Sequence, residues 1–244
     1  MSSKKSNQKK GKPVKFNIVL PKPKPVVILS ARHQMQQAAE YPILGCWIYA
    51  KWQEAGIAPI VVARQQAPDL VLFSVFMIDV YCLGVKDAMY KVGVSRRQFE
   101  NLLPKICQSK PLACEVDFAH EFIYGAVEYA RRYGFEPHPD YRDASLILDA
   151  PDAHPRRHQI EFGKNGKPFY VNGPFEDQNR IQKILHTLER TAGPGNYNFM
   201  IGQNPDIDST EEFLLDDLDF EDEEPARFLL GKNGFDVIRE DTQE

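Results

Sequence analysis

The sequence predicts an α+β protein in which an antiparallel β-meander is packed with helices. Three apolar runs rich in β-branched and aromatic residues, at 43–52, 57–65 and 70–83, predict the strands. The segments between them, at 54–56 and 67–69, have turn chemistry and are too short for a parallel crossover, which needs about a dozen residues. Apolar residues spaced by three and four at 118–133, and again at 181–188, predict helices.

Charge divides the chain into three parts. Residues 1–25 hold eight lysines and no acid, whereas residues 203–244 hold fifteen acids and three basic residues. Of the 30 basic and 34 acidic residues in the whole chain, the middle therefore keeps 19 of each. We expect a basic disordered tail at 1–25, a single globular α+β domain at 26–202 and an acidic, mostly disordered tail at 203–244.

The composition is typical of a soluble cytoplasmic protein. Hydrophobic residues make up 43% of the chain and charged residues 26%. The four cysteines lack CxxC spacing, which predicts reduced thiols in place of a disulfide framework. No apolar run is long enough to cross a membrane, and the lysine-rich start lacks the apolar core of a signal peptide.

The run at 70–83 organises the predicted fold. It is apolar on both alternating faces, as expected of a central strand that is buried on two sides. A short helix is predicted at 85–92. Ser95, followed by Gln98, forms a capping box that begins the next helix, and Pro104 is expected to end or kink that helix near Leu103.

The second half of the chain adds helices and a β-hairpin. Asp117 is the predicted N-cap of the helix at 118–133, with Gly134 just beyond its end. A hairpin is predicted between 159–162 and 168–171, around a turn at 163–166. An amphipathic helix is then expected to begin at 172–174, with Pro174 at its first position, and a short strand is expected at 197–201.

The common catalytic motifs are absent from the sequence. GKNGKP at 163–168 lacks the spacing of a phosphate-binding loop, and His120-Glu121 lacks the second histidine of HExxH. His154 and His158 have a spacing that suits zinc on a helix. Because Pro155 lies between them, the sequence favours a solvated loop there.

Asp79 is the most informative carboxylate, because an unpartnered charge on an apolar strand would be costly. In one interpretation it accepts backbone N–H groups or pairs with Lys86. In the other, Asp79 and Asp87 hold a divalent metal whose shell is completed by His120 or Glu121, and the protein hydrolyses phosphoesters. The sequence identifies neither the metal nor any other cofactor.

Four further residues are candidates for ligand binding. Lys86 lies beside the predicted strand end, and Tyr124 shares one side of the 118–133 helix with Glu128 and Arg132, a side for which a solvated face is the alternative. His138 is held between two prolines, with Asp140 just beyond it. Rigidly presented loop residues of this kind often bind ligands, although a structural turn is also expected to look like this.

Three functions remain open from the sequence. The neutral middle and the segregated tails favour a non-catalytic binding or adaptor protein with a protein partner at the acidic tail. The metal-dependent phosphoester hydrolase is the first alternative. The second is a nucleic-acid-associated protein that uses the lysine-rich arm, in which case binding should weaken with salt.

Four blocks of the sequence resemble a bacterial protein family of uncharacterised function. The resemblance covers about residues 41–200 and leaves both tails outside. It implies no activity, ligand or catalytic residue. The blocks are YPILGCW (41–47), IDVYCLGVKD (78–87), AHEFIYGAVEYARRYGFEPHPDY (119–141) and NGPFED (172–177).

Overall fold

The computed structural model describes residues 29–108, 110–173 and 176–202, together with the backbone of 228–231 and 234–237. The basic tail predicted at 1–25 lies outside the described residues, as does the acidic tail except for that backbone. The backbone pieces form a two-stranded antiparallel ladder, β8 (Phe228–Gly231) and β9 (Gly234–Val237). Neither tail hypothesis is therefore tested by the fold.

A five-stranded antiparallel sheet forms the centre of the molecule, in the order β4-β3-β2-β1-β5. The predicted three-stranded meander is confirmed, and the sheet has two further strands, β4 and β5, one at each edge. The last strand, β5, pairs with β1 at the edge. The strands are β1 (Ile43–Ile48), β2 (Ile57–Ala67), β3 (Leu70–Asp79), β4 (Gly84–Ser95) and β5 (Leu112–Cys114).

The helix predicted at 85–92 is wrong, because these residues belong to β4. They include lysine, alanine and methionine, which favour helices locally. The pairing of β4 with β3 from Leu70–Ser95 to Asp79–Gly84 overrides this preference. Gly84 makes the sharp entry possible: it has a φ of 68°, and a Cβ there would lie 2.8 Å from the backbone oxygen of Ala126.

Helices cover both faces of the sheet, as expected because β3 is apolar on both faces. Phe76 and Leu72 on one face of β3 pack with α4 (Val116–Arg132), whereas Phe73 and Val75 on the other face pack with α3 (Arg96–Ile106). The other helices are α1 (Ala31–Gln36), α2 (Trp52–Ala55), α5 (Tyr141–Ala144) and α6 (Gln178–Thr191), with 3₁₀ turns at Ala38–Glu40 and Ser145–Ile147.

Two of the predicted helix boundaries change. The Ser95–Gln98 capping box of α3 is confirmed, but the helix continues through Pro104 to Ile106. Asp117 does not cap α4: the N-cap is Glu115, without a side-chain cap bond, and Asp117 lies in the first turn. The carboxylate of Asp117 is consequently available for a contact outside its own helix.

Residues 170–188 contribute Tyr170, Ile181 and Leu188 to a separate apolar cluster, which also contains Cys82 and Leu83 from the turn between β3 and β4. The predicted hairpin does not form, since residues 159–162 are not a strand. Instead β6 (Phe169–Val171) pairs in parallel with β7 (Asn198–Met200). The last helix, α6, begins later than expected, after its N-cap Asp177.

No helix in the described part of the chain combines the length and the apolar composition needed to cross a membrane. This finding agrees with the absence of a long apolar run in the sequence.

Candidate metal centre

One polar side of α4 faces the segment 149–158. Its residues are spaced by three and four, so they line up along the helix and meet the segment one after another. The sequence left this side open between a solvated face and a binding site, and the structure shows that it holds a loop. The residues that contact the loop are Asp117, His120, Glu121, Tyr124 and Glu128.

Glu121 fastens the loop to the helix. Its Oε2 accepts the backbone N–H groups of Arg157 (3.0 Å) and His158 (2.8 Å) and lies 3.0 Å from Nδ1 of His158. Burial raises the pKa of Glu121, but these hydrogen bonds outweigh it and leave the pKa below its usual range. Glu121, a predicted metal ligand or base, is therefore a charged anchor for the loop in this structure.

Tyr124 and Glu128 extend the same attachment. The Tyr124 hydroxyl donates to the backbone oxygen of Asp149 at 2.9 Å. Glu128 accepts hydrogen bonds from both terminal nitrogens of Arg156, and roughly half of each of these two side chains is exposed. Tyr124, a candidate binding residue, thus positions the start of the loop.

His154 stands between two carboxylates. Its Nδ1 lies 2.8 Å from Oδ1 of Asp117, and its Nε2 lies 2.9 Å from Oδ2 of Asp149. A ring that carries a proton on both nitrogens donates to both acids. The hydrogen bond to Asp149 consequently raises the pKa of His154, assisted by Asp117 and opposed by burial. The sequence favoured a solvated loop at this position, whereas His154 is half-buried.

His120 faces the same carboxylate but is incompletely satisfied. The backbone N–H of Asp149 donates to its Nε2 at 3.4 Å, which requires a lone pair on Nε2 and a proton on Nδ1. The residue is only 2% exposed, and Nδ1 has no hydrogen-bond partner in the described part of the chain. Burial lowers the pKa of His120 to about 4, so the ring is neutral near pH 7.

Arg64 of β2 holds the third member of the group in place. Its guanidinium is almost fully buried and donates to Oδ1 of Asp149 at 2.6 Å and to the backbone oxygens of Ile147, Ala39 and Tyr41. Burial raises the pKa of Asp149, but hydrogen bonds from His154 and Arg64 keep it below its usual range. Because Arg64 takes one oxygen of the carboxylate, the other is left to face the two histidines.

The three side chains converge on one point. Nε2 of His120, Oδ2 of Asp149 and Nε2 of His154 all lie within 4.8 Å of one another. The two histidines line a depression of about 200 Å³, its open mouth included, whose wall also contains Asp117 and Pro155. Two imidazole nitrogens and one carboxylate oxygen at this spacing form a ligand set for a divalent transition metal. We call these three residues the His120 cluster.

Asp79 lies elsewhere, in the turn between β3 and β4. It is 5% exposed, and its Oδ1 accepts the backbone N–H groups of Tyr81 (2.9 Å) and Cys82 (3.0 Å). Burial raises its pKa to about 6, an effect that Lys86 and the amides oppose. Of the two interpretations open from the sequence, these contacts support the structural anchor.

The remaining candidates separate into two places. Asp87, His138 and Asp140 come together, with Nδ1 of His138 3.6 Å from a carboxylate oxygen of each acid. Lys86 points instead to Glu176, at 3.6 Å. The four proposed hydrolase residues, Asp79, Asp87, His120 and Glu121, are not brought into one coordination sphere: within the described residues Asp87 groups with His138, and His120 with Asp149.

Sequence reasoning missed Asp149 and misassigned Asp117 and His154. Asp149 carries no motif, and its partner His120 is 29 residues away in the chain. Asp117 was predicted to be the N-cap of α4, because it stands near the start of that helix, but its carboxylate contacts His154. The one usable signal was the density of histidine, acid and proline at 149–158, which we interpreted as a solvated loop.

Comparison of the chain with protein-family models, with curated proteins and with solved structures gives no match in any of the three.

Proposed function

We propose that this protein binds a divalent transition metal ion of the zinc type through the His120 cluster. The observation that carries the proposal is the convergence of three donor atoms within 4.8 Å of one another, two of them from histidines that line a depression open to solvent. This ligand set replaces the one expected from the sequence, of which only His120 is retained.

The donor separations suit a zinc-type ion. With bonds of about 2.0–2.1 Å, donors of a tetrahedral ion lie about 3.3–3.4 Å apart. Oδ2 of Asp149 is 2.9 Å from Nε2 of His154 and 3.9 Å from Nε2 of His120, one below and one above that value. Shifts of about 0.5 Å in the side chains would equalise them, which lies within rotamer adjustment.

The surroundings prepare both histidines to act as ligands. A metal ion would replace the proton on Nε2 of His154, while Nδ1 keeps its hydrogen bond to Asp117. A carboxylate that orients a metal-binding histidine through its second nitrogen is a common outer partner in zinc sites. His120 is neutral near pH 7 and directs its Nε2 lone pair toward Asp149, so it needs no deprotonation to bind.

Hydrolysis is a second candidate function, favoured by the number of ligands. Catalytic zinc sites have three protein ligands and a fourth position for water, whereas structural sites have four protein ligands. A metal ion here would have three protein ligands and would face the open depression. A water bound to such an ion ionises near neutral pH and can attack a phosphoester. The phosphoester hydrolase expected from the sequence thus stays a proposal with a new ligand set.

Zinc titration of the full chain tests metal binding. We expect the metal-free protein to compete with a chromophoric chelator for one Zn²⁺ ion. His154→Ala and His120→Leu should each weaken binding about 100-fold or more, since loss of a direct ligand costs more than the 10–100-fold loss typical of an outer partner. His186→Ala is the matched control, because His186 is an exposed histidine of α6.

Different results would reject metal binding and hydrolysis. Equal Zn²⁺ affinity of the wild type and His154→Ala, with both folded by circular dichroism, would reject the metal site. Hydrolysis is tested with bis(p-nitrophenyl) phosphate and the zinc-loaded protein. No turnover by a protein that binds Zn²⁺ with the expected variant pattern would leave metal binding as the function and remove catalysis.

The adaptor and nucleic-acid hypotheses depend on residues 1–25 and 203–244. These residues lie outside the described part of the chain apart from the backbone of β8 and β9. Both hypotheses stay predictions, and deletion of either tail from the full chain would test them.

A further inference from the structure

Two cysteines face each other at one edge of the central sheet. Cys46 lies in β1, Cys114 is the last residue of β5, and the two residues are directly paired in the antiparallel register of these strands. Residues opposite each other in an antiparallel pair point to the same face of the sheet. Both cysteines accordingly pack into the apolar cluster beside α4. The proposed function uses neither thiol.

The backbone separation of this pair suits a disulfide bond. Directly opposite residues have Cα atoms about 4.5–5.5 Å apart, and disulfides span about 4.4–6.8 Å between Cα atoms. The Cβ atoms have to approach from about 4.5–5.5 Å to about 3.5–4.5 Å, a movement of about 1 Å. The strand β5 can supply this movement, because it has only three residues and lies at the edge of the sheet.

A small oxidant has access to the pair through Cys114. Cys46 is only 2% exposed, whereas Cys114 is half-buried on the edge strand. Burial raises the pKa of each thiol to about 12, and Cys46 adds to this effect at Cys114, so the two sulfurs lie within electrostatic range of each other. Because the thiolate is the reacting form, oxidation of this pair is slow at neutral pH.

The other two cysteines are placed differently. Cys82 belongs to the separate apolar cluster that contains Tyr170 and Leu188. Cys107 follows the end of α3 and packs in the cluster on the opposite face of the sheet. It also raises the pKa of Cys114, more weakly than burial and Cys46 do. The experiment therefore has to distinguish Cys46 from Cys107 as the partner of Cys114.

We propose that Cys46 and Cys114 form a reversible disulfide bond in the presence of a low-molecular-weight disulfide such as oxidised glutathione. The thiolate of Cys114 attacks the glutathione disulfide, forms a mixed disulfide and releases one glutathione thiolate. The thiolate of Cys46 then attacks the sulfur of Cys114 and releases the second. Two protein thiols are oxidised, one glutathione disulfide is reduced, and the two released thiolates take up the protons that the cysteines lose.

The bond fastens the edge strand to the rest of the sheet. The ladder between β5 and β1 contains three residue pairs, and Leu112 of β5 is 50% exposed. The strand leads directly into α4, whose N-cap Glu115 makes no side-chain cap bond. A bond between Cys46 and Cys114 closes a long loop of the chain and so restricts the unfolded state. We therefore expect the oxidised protein to unfold at a higher urea concentration than the reduced protein.

Thiol counting on the full chain tests the proposal. The protein is equilibrated with oxidised glutathione at about pH 8.5, where more thiolate is present, then denatured, alkylated with N-ethylmaleimide and weighed by mass spectrometry. We expect the number of alkylated thiols to fall from four to two, without a glutathione adduct. Cys46→Ala and Cys114→Ala should form no internal disulfide. Cys82→Ala and Cys107→Ala are the matched controls, and each should still lose two thiols.

Three results would overturn the proposal. One is a wild type that keeps four alkylated thiols or ends as a stable glutathione adduct. Another is an internal disulfide that persists in Cys46→Ala and disappears in Cys107→Ala, which would assign the bond to Cys107 and Cys114. The third is an oxidised protein with the same urea midpoint as the reduced one. Alanine keeps a small apolar side chain at each position, and the circular dichroism of each variant checks that it folds.

Discussion

Asp79 and His120 are both polar side chains that the fold buries, yet their surroundings differ in kind. Asp79 accepts hydrogen bonds from two backbone N–H groups and is attracted electrostatically by Lys86. Its hydrogen-bond partners therefore come from the protein itself. His120 receives one long hydrogen bond, and its second nitrogen has no partner in the described residues. Nδ1 is not the proposed metal ligand. The ligand is Nε2, and its single hydrogen bond of 3.4 Å holds it less firmly than the two amides hold Oδ1 of Asp79, at 2.9 and 3.0 Å.

This comparison explains why charge in an apolar strand was a poor guide to function. The carboxylate that stands out in the sequence is the one held by its own turn. The residues that build the His120 cluster stand in unremarkable local sequence, because their partners come from distant segments. Burial alone does not separate the two cases, and the count of satisfied atoms does.

Asp79→Asn should give the largest effect, and it should appear in the pH dependence of stability. Asp79 has a pKa of about 6 in the folded protein, whereas an aspartate in an unfolded chain has a pKa of about 3.8. The contribution of Asp79 to stability is therefore full below about pH 3.8 and is lost as pH rises through about 6. The difference amounts to about 3 kcal/mol at most.

Asparagine keeps an acceptor for the two amides but has no proton to lose. Relative to the wild type, Asp79→Asn should thus gain stability between pH 4 and pH 7, as measured by urea denaturation at several pH values. Glu54→Gln, at an exposed carboxylate of α2, is the control. Its stability should change with pH in the same way as that of the wild type. If the stability of Asp79→Asn also changed with pH as the wild type does, burial would not raise the pKa of Asp79.

The sequence predicted those parts of the fold in which local pattern and tertiary structure agree. The meander follows from apolar runs separated by short turn segments, and α4 follows from apolar residues spaced by three and four; both are confirmed. Residues 85–92 favour a helix locally, so only their pairing with β3 makes them a strand. Pro155 led us to expect no zinc pair of His154 and His158, and in the structure Nδ1 of His158 lies beside Glu121. The partner of His154 is Asp149, and the structure adds His120 from α4.

Asp117→Asn should have a smaller effect, confined to metal affinity. Its Oδ1 accepts the N–H at Nδ1 of His154 and so leaves Nε2 for the metal. An amide could present its own N–H to Nδ1 and favour the opposite tautomer. We expect Zn²⁺ to bind about 10–100-fold more weakly, by chelator competition.

Glu128→Gln provides the matched control for Asp117→Asn. Glu128 lies on the same side of α4 and also contacts the loop, but its ion pair with Arg156 is about half exposed. Exposed pairs contribute about 0–1 kcal/mol, so zinc affinity should change little. If both variants weakened Zn²⁺ binding equally, loop attachment in general would be responsible, and the specific role of Asp117 would be rejected.

His120→Leu should have the smallest effect on stability, although it removes a ligand. Among the described residues, the substitution deletes a buried nitrogen without a partner and one hydrogen bond, the 3.4 Å contact with the N–H of Asp149. Replacing an unsatisfied polar group with an apolar group of similar size is nearly neutral. We expect a change within about 1 kcal/mol by urea denaturation, together with the loss of Zn²⁺ binding.

Phe122→Ala, two residues along α4, shows that the measurement detects a core defect. Phe122 is fully buried, and its truncation should cost about 3–5 kcal/mol. A comparable cost for His120→Leu would mean that the histidine is satisfied in a way that stabilises the fold. His120 would then belong with Asp79 as a structural group, and the contrast between the two residues would no longer support a metal site.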